Sequence, residues 1–216
     1  MSHHYTLVIG NKNYSSWSMR PWLVLRHFEI PFTERVVALY QPGYEAAIRA
    51  ISPSGKLPLL VHGDLHVWDS LAICEYLAEH HRGMWPDDPA ARAVARSVSA
   101  EMHSGFMALR SAFTCNIRRR TPTLPPPEVQ ADIDRIAQLW SDCRTRFGQD
   151  GPYLFGAFCI ADAMFAPVCF RFQTYGVHLS GAAGVYLETM LATPALQDLA
   201  RDAAAEPFTI ARYEPA

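Results

Sequence analysis

The segment of residues 54–77 constrains the fold of this 216-residue chain more than any other. Pro58 precedes the apolar residues 59–61 and lacks the N–H that a central strand needs. It therefore predicts a sheet edge, the first residue of a strand, or a cis turn. Gly63-Asp64 then separates two short apolar runs, as in a two-residue hairpin turn. We expect two antiparallel strands joined by a tight turn.

A helix is predicted directly after this hairpin. Asp69 and Ser70 precede apolar residues at helical spacing, which are Leu71, Ile73, Tyr76 and Leu77. At a helix N-terminus, free N–H groups and the helix dipole favour carboxylate groups. Asp and Ser are also ordinary N-cap residues, so a purely capping role is the alternative interpretation.

The residues before the hairpin predict the rest of an α/β unit. A short buried strand is expected at 5–10, and the polar turn 11–18 leads into a helix whose apolar positions are Trp22, Leu23, Leu25 and Phe28. A second strand is expected at 32–39 and a short helix at 44–51. The resulting order, β-α-β-α-β-β-α, is that of a thioredoxin-like unit.

The second half of the chain predicts helices only. We expect a thioredoxin-like domain at 1–81, a linker at 82–89 and an all-helical domain at 90–216. The fold class is therefore α/β followed by all-α.

Two long helices are predicted in the second domain, at 88–119 and 128–147, with the prolines 125–127 between them. The arginines 118–120 are expected to end the first helix, where cations complement the helix dipole. A binding patch is the alternative for these arginines.

Three short motifs lie at the edges of the predicted elements: Ser15-Ser16-Trp17-Ser18-Met19-Arg20, Lys56-Leu57-Pro58 and Asp69-Ser70. Each is weak alone, but their order and separations together resemble cytosolic glutathione transferases, with the serine-using zeta and tau classes closest. The resemblance extends over essentially the whole chain.

This resemblance implies a glutathione site. Ser15 would face the sulfur as the catalytic residue, with Ser16 as second choice. The other contacts it implies are Leu57 and Pro58 at the cysteinyl part, Asp69 and Ser70 at the γ-glutamyl end, and Lys56 and Gln41 at the glycyl carboxylate. Glutathione is then the co-substrate, and a homodimer is expected.

The chemistry of such a site needs a thiolate. A free thiol has a pKa of about 8.5, so lowering it by two units requires roughly 2.7 kcal/mol. A hydrogen bond to a charged group contributes roughly 1.5 to 3 kcal/mol, and a helix N-terminus about 0.3 to 1. One serine hydroxyl and a helix end therefore suffice.

The alternative role for Ser15 and Ser16 is to cap the first helix. Pro21 is acceptable only near a helix start. If Ser18 were the N-cap, Pro21 would fall in the first turn, which leaves Ser15 and Ser16 free in the preceding loop.

An apolar stripe on the predicted long helix is a candidate electrophile site. The resemblance places its upper part near the sulfur. The residues of the stripe are Met102, His103, Phe106, Leu109, Arg110 and Phe113, of which Met102, Phe106, Arg110 and Phe113 are the candidates for binding the electrophile. Plain core packing is the alternative. Arg110 is the polar exception, suited to an anionic co-substrate or to a simple salt bridge.

The five cysteines are scattered, and none lies in the 11–18 turn. This argues against a thiol enzyme and against a disulfide framework, and it favours a reducing, cytoplasmic location. Cys159 and Asp162 resemble the family's capping box, with a thiol at the first position instead of a hydroxyl.

Composition excludes several other classes of function. The net charge of −2 gives no nucleic-acid footprint, no apolar run is long enough for a membrane span, and the start of the chain shows no secretory signal. The histidines are dispersed, so no metal site is expected.

We therefore predict a glutathione transferase that attacks a small, apolar electrophile by conjugation, isomerisation or peroxide reduction. The alternative is a non-catalytic glutathione- or ligand-binding regulatory protein on the same fold.

Overall fold

A computed structural model describes residues 4–214. Residues 1–3 and 215–216, at the outer ends of the two predicted domains, lie outside the described residues. The first of these ranges contains most of the start of the chain, where no secretory signal is expected. The domain boundaries themselves stay a prediction.

The first part of the chain is a four-stranded sheet with three helices. Its elements are β1 (Tyr5–Ile9), α1 (Ser16–His27), β2 (Phe32–Val36), α2 (Tyr44–Arg49), β3 (Leu59–His62), β4 (Leu65–Trp68) and α3 (Ser70–His80). The strand order is β2-β1-β3-β4, in which β1 and β2 are parallel and β3 is antiparallel to both of its neighbours. The predicted thioredoxin-like order is confirmed.

The hairpin predicted around Gly63 is present. His62 pairs with Leu65 across a two-residue turn, and Gly63 has a φ of 60°, a conformation that glycine adopts without steric cost. The peptide bond between Leu57 and Pro58 is cis and lies just before β3, so of the three alternatives expected for Pro58 the cis turn is the one observed.

The rest of the described chain is helical. Its elements are α4 (Pro89–Ser104), α5 (Met107–Ala112), α6 (Pro127–Phe147), α7 (Ile160–Tyr175), α8 (Gly181–Ala192), α9 (Pro194–Ala205) and a short 3₁₀ turn at Ala211–Tyr213. Helix α7 is apolar on nearly every side and is buried along almost its whole length. It packs on α1, α4 and α8, so it forms the centre of the core.

The prediction of one helix over 88–119 is wrong. Helix α4 ends at Ser104, Gly105 follows it, and Phe106 has a φ of 58°, which breaks the helix before α5 begins. Because residues 114–126 are irregular, the arginines 118–120 do not end a helix. Arg118 instead donates hydrogen bonds to the carbonyls of Glu206 and Phe208.

The predicted start of α1 is also wrong. Ser15 is the N-cap, since its hydroxyl accepts the N–H of Ser18 at 3.4 Å, and Pro21 therefore lies inside the helix. Proline there cannot donate an intrahelical hydrogen bond. Burial of Trp22 and Leu23 on the same helix offsets that loss.

The capping box at the start of α7 is formed. The Cys159 sulfur accepts the N–H of Asp162, and Asp162 accepts the N–H of Cys159 at 2.8 Å. Asp162 also accepts hydrogen bonds from the Leu154 N–H and the Tyr186 hydroxyl. Burial raises the pKa of Asp162 to about 6, although these hydrogen bonds oppose the shift.

Replacing Cys159 by serine tests this capping arrangement. A hydroxyl is a better acceptor than a thiol, so Cys159→Ser is expected to stabilise the fold by about 0.5 to 1 kcal/mol. Thermal unfolding should then show a midpoint roughly 2 °C higher. Cys169→Ser is the control, because it places a hydroxyl in the interior of α7 and should lower the midpoint. A fall for Cys159→Ser would contradict this arrangement.

Candidate active site

A cavity of about 460 Å³ lies where the loop before β3 meets the N-termini of α1 and α3. Its lining residues are Trp17, Ser54, Lys56, Leu57, Pro58, Trp68, Asp69 and Ser70. The cavity thus brings together five residues predicted for the site, from two motifs that are separate in the sequence. Trp17, Ser54 and Trp68 line it without having been predicted.

The loop before β3 offers main-chain groups to this cavity. Among the described residues, neither the N–H nor the carbonyl of Leu57 has a hydrogen-bond partner. Ser52 holds the loop by donating to the Lys56 carbonyl at 2.7 Å. An extended peptide can therefore pair with Leu57 in the manner of an added strand.

Asp69 closes the cavity at the start of α3. Its Oδ1 accepts the N–H groups of Leu71 at 2.9 Å and Ala72 at 3.2 Å, so the predicted helix start is confirmed and the capping role that was the alternative interpretation is observed. Its φ of 73° and ψ of 132° lie in a region that non-glycine residues rarely occupy. Strain of this kind persists at functional sites when the surrounding contacts fix the backbone.

Ser70 connects the cavity to a buried arginine. Arg20 on α1 is 2% exposed and donates from Nη1 to the Ser70 hydroxyl at 3.5 Å. Its Nε has no partner among the described residues. Burial, together with the neighbouring Arg110 and Arg171, lowers the pKa of Arg20 to about 9.

Three guanidinium groups make this region electropositive. Arg20 and Arg110 lie over the Trp17 ring, at 4.5 and 4.3 Å from its centroid. Arg171 on α7 is buried and donates to the Phe113 carbonyl at 2.7 Å. None of the three arginines forms an ion pair with a carboxylate in the described part of the chain. The region is therefore suited to an anion.

The two candidate serines lie beside the cavity and do not line it. Ser15 donates to the Ser18 hydroxyl at 2.8 Å, and Ser18 in turn accepts the N–H of Gly10 at 3.0 Å. Ser16 accepts from Arg171 at 3.5 Å. The capping role that was the alternative for Ser15 is thus observed, and any contact of Ser15 or Ser16 with a ligand stays a prediction.

Distant parts of the chain fix the loop that carries Ser15. The Glu206 carboxylate accepts the N–H groups of Lys12 at 2.6 Å and Asn13 at 3.0 Å. The side chain of Asn13 also donates to Asn116 at 2.9 Å. No local sequence pattern indicates these contacts, because their partners lie more than 100 residues further along the chain.

One other predicted contact, Gln41, lies apart from this cavity. Gln41 lies in a separate groove of about 1020 Å³ with Tyr40, Tyr44 and Arg49. The cavity does not bring Gln41 together with Lys56, so a shared role for them stays a prediction.

The predicted electrophile stripe is mostly core. Met102, Phe106 and Phe113 are 0%, 7% and 2% exposed, because they pack in the hydrophobic core. Arg110 alone remains half-buried, and it donates to the carbonyls of His103 and Gly105. The binding role of these four residues is untested, but in this structure Arg110 is the one that reaches the Trp17 side of the cavity.

Sequence reasoning missed His103, which joins the site from the last turn of α4. Its Nε2 lies 3.1 Å from the Asp69 carboxylate, and its ring packs edge-on against Trp17 at 5.3 Å. The only available signal was its place on the stripe, and that pattern does not reveal the partner.

Comparisons with known proteins agree with this geometry. A family model described as "Glutathione S-transferase, N-terminal domain" matches residues 14–80. A glutathione transferase homolog from Burkholderia, solved with bound glutathione, superposes with a TM-score of 0.71 at 24% identity, covering 95% of this chain and 100% of that one. Residues 14–80 thus match the N-terminal domain of glutathione S-transferases, and the chain has the glutathione transferase fold.

Two curated relatives match part of the chain. A probable maleylacetoacetate isomerase from Caenorhabditis elegans is 33% identical over 98 residues, which is 44% of this chain and 45% of that protein. A stringent starvation protein A homolog from Pasteurella multocida is 28% identical over 146 residues, 66% of this chain and 64% of that protein. The chain thus spans less than two thirds of either relative.

Neither a metal centre nor a membrane span is found in the described residues. Between residues 4 and 214, no cluster of three or more His, Cys, Asp or Glu side chains is arranged to hold a metal ion. The helices of that range are too short or too polar to cross a bilayer.

Because Arg20 is a buried charge, we predict that its replacement will increase the stability of the fold and weaken the binding of anionic ligands. Arg20→Met removes a buried charge without a carboxylate partner and keeps an apolar side chain of similar length. It should therefore raise the free energy of unfolding by about 1 to 3 kcal/mol. The same change should weaken the binding of anionic ligands at Ser70.

Urea unfolding and ligand titration of Arg20→Met measure the two effects. Arg26→Met is the control, because Arg26 lies on the exposed side of α1 and pairs with Asp198. A less stable Arg20→Met protein would show that Arg20 contributes to the fold rather than to the site.

Proposed function

We propose that this chain is a glutathione transferase that binds glutathione in the cavity between the loop before β3 and the N-terminus of α3. One observation supports this most: Lys56, the free main chain of Leu57, Asp69 and Ser70 line a single cavity. The volume of about 460 Å³ is within the roughly 300 to 1,000 Å³ typical of small-molecule sites.

The groups of the cavity match those of glutathione. The ammonium of its γ-glutamyl end suits the Asp69 carboxylate, and the adjacent carboxylate suits the Ser70 hydroxyl, which Arg20 supports from below. The central peptide can pair with Leu57, and the glycyl carboxylate can reach the exposed Lys56. Each charged group of the ligand then has a group of opposite charge or a hydrogen-bond donor.

Ser15 is proposed as the donor to the thiolate. Rotation of hydroxyl hydrogens alone gives a chain in which the Gly10 N–H donates to Ser18, Ser18 to Ser15, and Ser15 to the sulfur. Such a chain polarises each hydrogen bond in it. The N-terminus of α1 and the three nearby arginines add positive potential, which lowers the pKa of a thiol.

The electrophile is proposed to approach over Trp17 and Arg110. The reaction types considered are conjugation, isomerisation and peroxide reduction, because each begins with a glutathione thiolate. The partial match to a probable maleylacetoacetate isomerase supports isomerisation as one of them. A small electrophile with an apolar body and an acidic group fits a tryptophan ring that carries a guanidinium.

Spectroscopic titration of bound glutathione tests the role of Ser15. In the parent protein the ultraviolet absorbance of the thiolate should appear about two pH units below that of free glutathione. Ser15→Ala should raise the pKa of the bound thiol by roughly 1 to 2 units, since one charged hydrogen bond of about 1.5 to 3 kcal/mol is lost. Ser18→Ala should give a smaller rise.

Ser16→Ala is the matched control for this titration, because Ser16 lies one residue away and outside the proposed chain. If Ser16→Ala raises the thiol pKa and Ser15→Ala leaves it unchanged, the thiolate donor is Ser16. If neither changes it, the hydroxyl mechanism is wrong and the helix and arginines alone act on the thiol.

A non-catalytic glutathione-binding protein is the second candidate function. The hydroxyl of Ser15 is already engaged as a helix cap and with Ser18, which favours a structural role. Glutathione binding without a thiolate absorbance at neutral pH would favour this candidate.

We further propose a homodimer in a reducing, cytoplasmic compartment. All five cysteines are buried and unpaired, which suits reducing conditions. Leu65 and Trp68 on the edge strand β4 are each 47% exposed, and large apolar side chains at a sheet edge favour a covering partner. Analytical ultracentrifugation should give twice the mass of the chain, and Trp68→Glu should lower it to the monomer.

A further inference from the structure

His103 is the residue of the helical part that contacts Asp69. Asp69 uses Oδ1 to cap α3, and its Oδ2 lies 3.1 Å from His103 Nε2. His103 is on the last turn of α4, so this contact joins the second half of the chain to the N-terminus of α3. His103 thereby fixes the position of Oδ2, the oxygen that an incoming ammonium group would use.

The surroundings of His103 define its protonation state. Nδ1 is buried and has no hydrogen-bond partner among the described residues. A protonated imidazole would place a hydrogen on Nδ1 with no acceptor, at a substantial desolvation cost. The neutral ring, with its hydrogen on Nε2 and directed at Asp69, satisfies the observed contacts.

The neighbouring charges favour the same state. Burial lowers the pKa of His103, and Arg20 on α1 and Arg110 on α5 lower it further, while Asp69 on α3 opposes them. At pH 7 His103 is therefore a neutral donor. It orients Asp69 without neutralising the carboxylate, which a lysine or arginine in that place would do.

Trp17 fixes the ring of His103. The two rings meet edge-to-face at 5.3 Å, and Trp17 itself contacts the guanidinium groups of Arg20 and Arg110. A side chain in this arrangement has few other orientations open to it. The position of the Asp69 carboxylate at the cavity wall therefore depends, through His103, on where α4 lies.

We propose that His103 is a positioning residue for ligand recognition, whose neutral imidazole holds the charged Asp69 carboxylate at the cavity for the ammonium group of the ligand. This inference rests on the proposed glutathione site. It assigns to α4 a part in binding that does not involve contact with the reacting atoms.

Two substitutions separate the hydrogen bond from the packing. His103→Phe keeps a ring against Trp17 and removes the donor, and His103→Gln keeps an N–H donor and removes the ring. The dissociation constant of glutathione, measured by calorimetry at pH 7.5, should rise about fivefold to tenfold for His103→Phe and less than twofold for His103→Gln. The kcat at saturating glutathione should stay within twofold for both, and KM should follow the dissociation constant.

The dependence on Asp69 is tested by a double mutant. Asp69→Asn should weaken glutathione binding strongly, and adding His103→Phe should cause no further loss, because His103 acts through that carboxylate. Thermal unfolding of each variant establishes that it is folded.

A pH series supplies a test that does not need the phenylalanine variant. As the pH falls below 6.5 toward 5, protonation of His103 should neutralise Asp69 and raise the dissociation constant of the parent protein. His103→Gln should show a smaller rise over the same range, whereas the control His178→Gln, at an exposed histidine, should follow the parent.

Three results would overturn the inference. They are parent-like binding by His103→Phe, equal losses for His103→Gln and His103→Phe, and identical pH series for the parent and His103→Gln. If the parent itself does not bind glutathione, the proposed function fails, and that result is distinct from these three.

Discussion

Burial of α7 is the interaction on which the rest of the structure depends. Nearly all of its residues are buried, and α1, α4 and α8 pack around it. It therefore sets the positions of α1 and α4, the helices that carry Trp17, Arg20 and His103 to the site. Two buried charged residues, Asp162 and Arg171, interrupt its apolar surface. Asp162 anchors its start through the capping box, and Arg171 reaches toward Ser16 and the Phe113 carbonyl. The core and the electropositive wall of the site thus share one helix.

The site holds three positively charged side chains in a region where burial favours neutral groups. Arg20, Arg110 and Arg171 repel one another, and the described chain supplies none of them with a carboxylate in contact. Asp69 adds backbone strain at the same place. Such features reduce stability, and they are understandable if a bound anion supplies the missing charge.

Much of the first domain could be predicted because its signals are local. The glycine of the hairpin, the proline before β3 and the Asp-Ser pair at the start of α3 each act on the backbone within a few residues. Two local predictions were wrong for physical reasons. The periodicity of 88–119 continues through Gly105, but the positive φ of Phe106 breaks the helix there, and Ser15 caps α1 three residues earlier than Pro21 suggests.

The sequence by itself determined the order of the elements in the first domain, the hairpin and the pair of residues that begins α3, since these follow from backbone preferences and hydrophobic period. Only the tertiary structure decided what surrounds that pair. His103, Arg20 and Trp17 come from two other helices, and their contacts depend on how α1 and α4 pack on α7. Contacts between distant segments produce no regular spacing of residues in the sequence. The partners of Asp69 and Ser70 are therefore seen only in the tertiary structure.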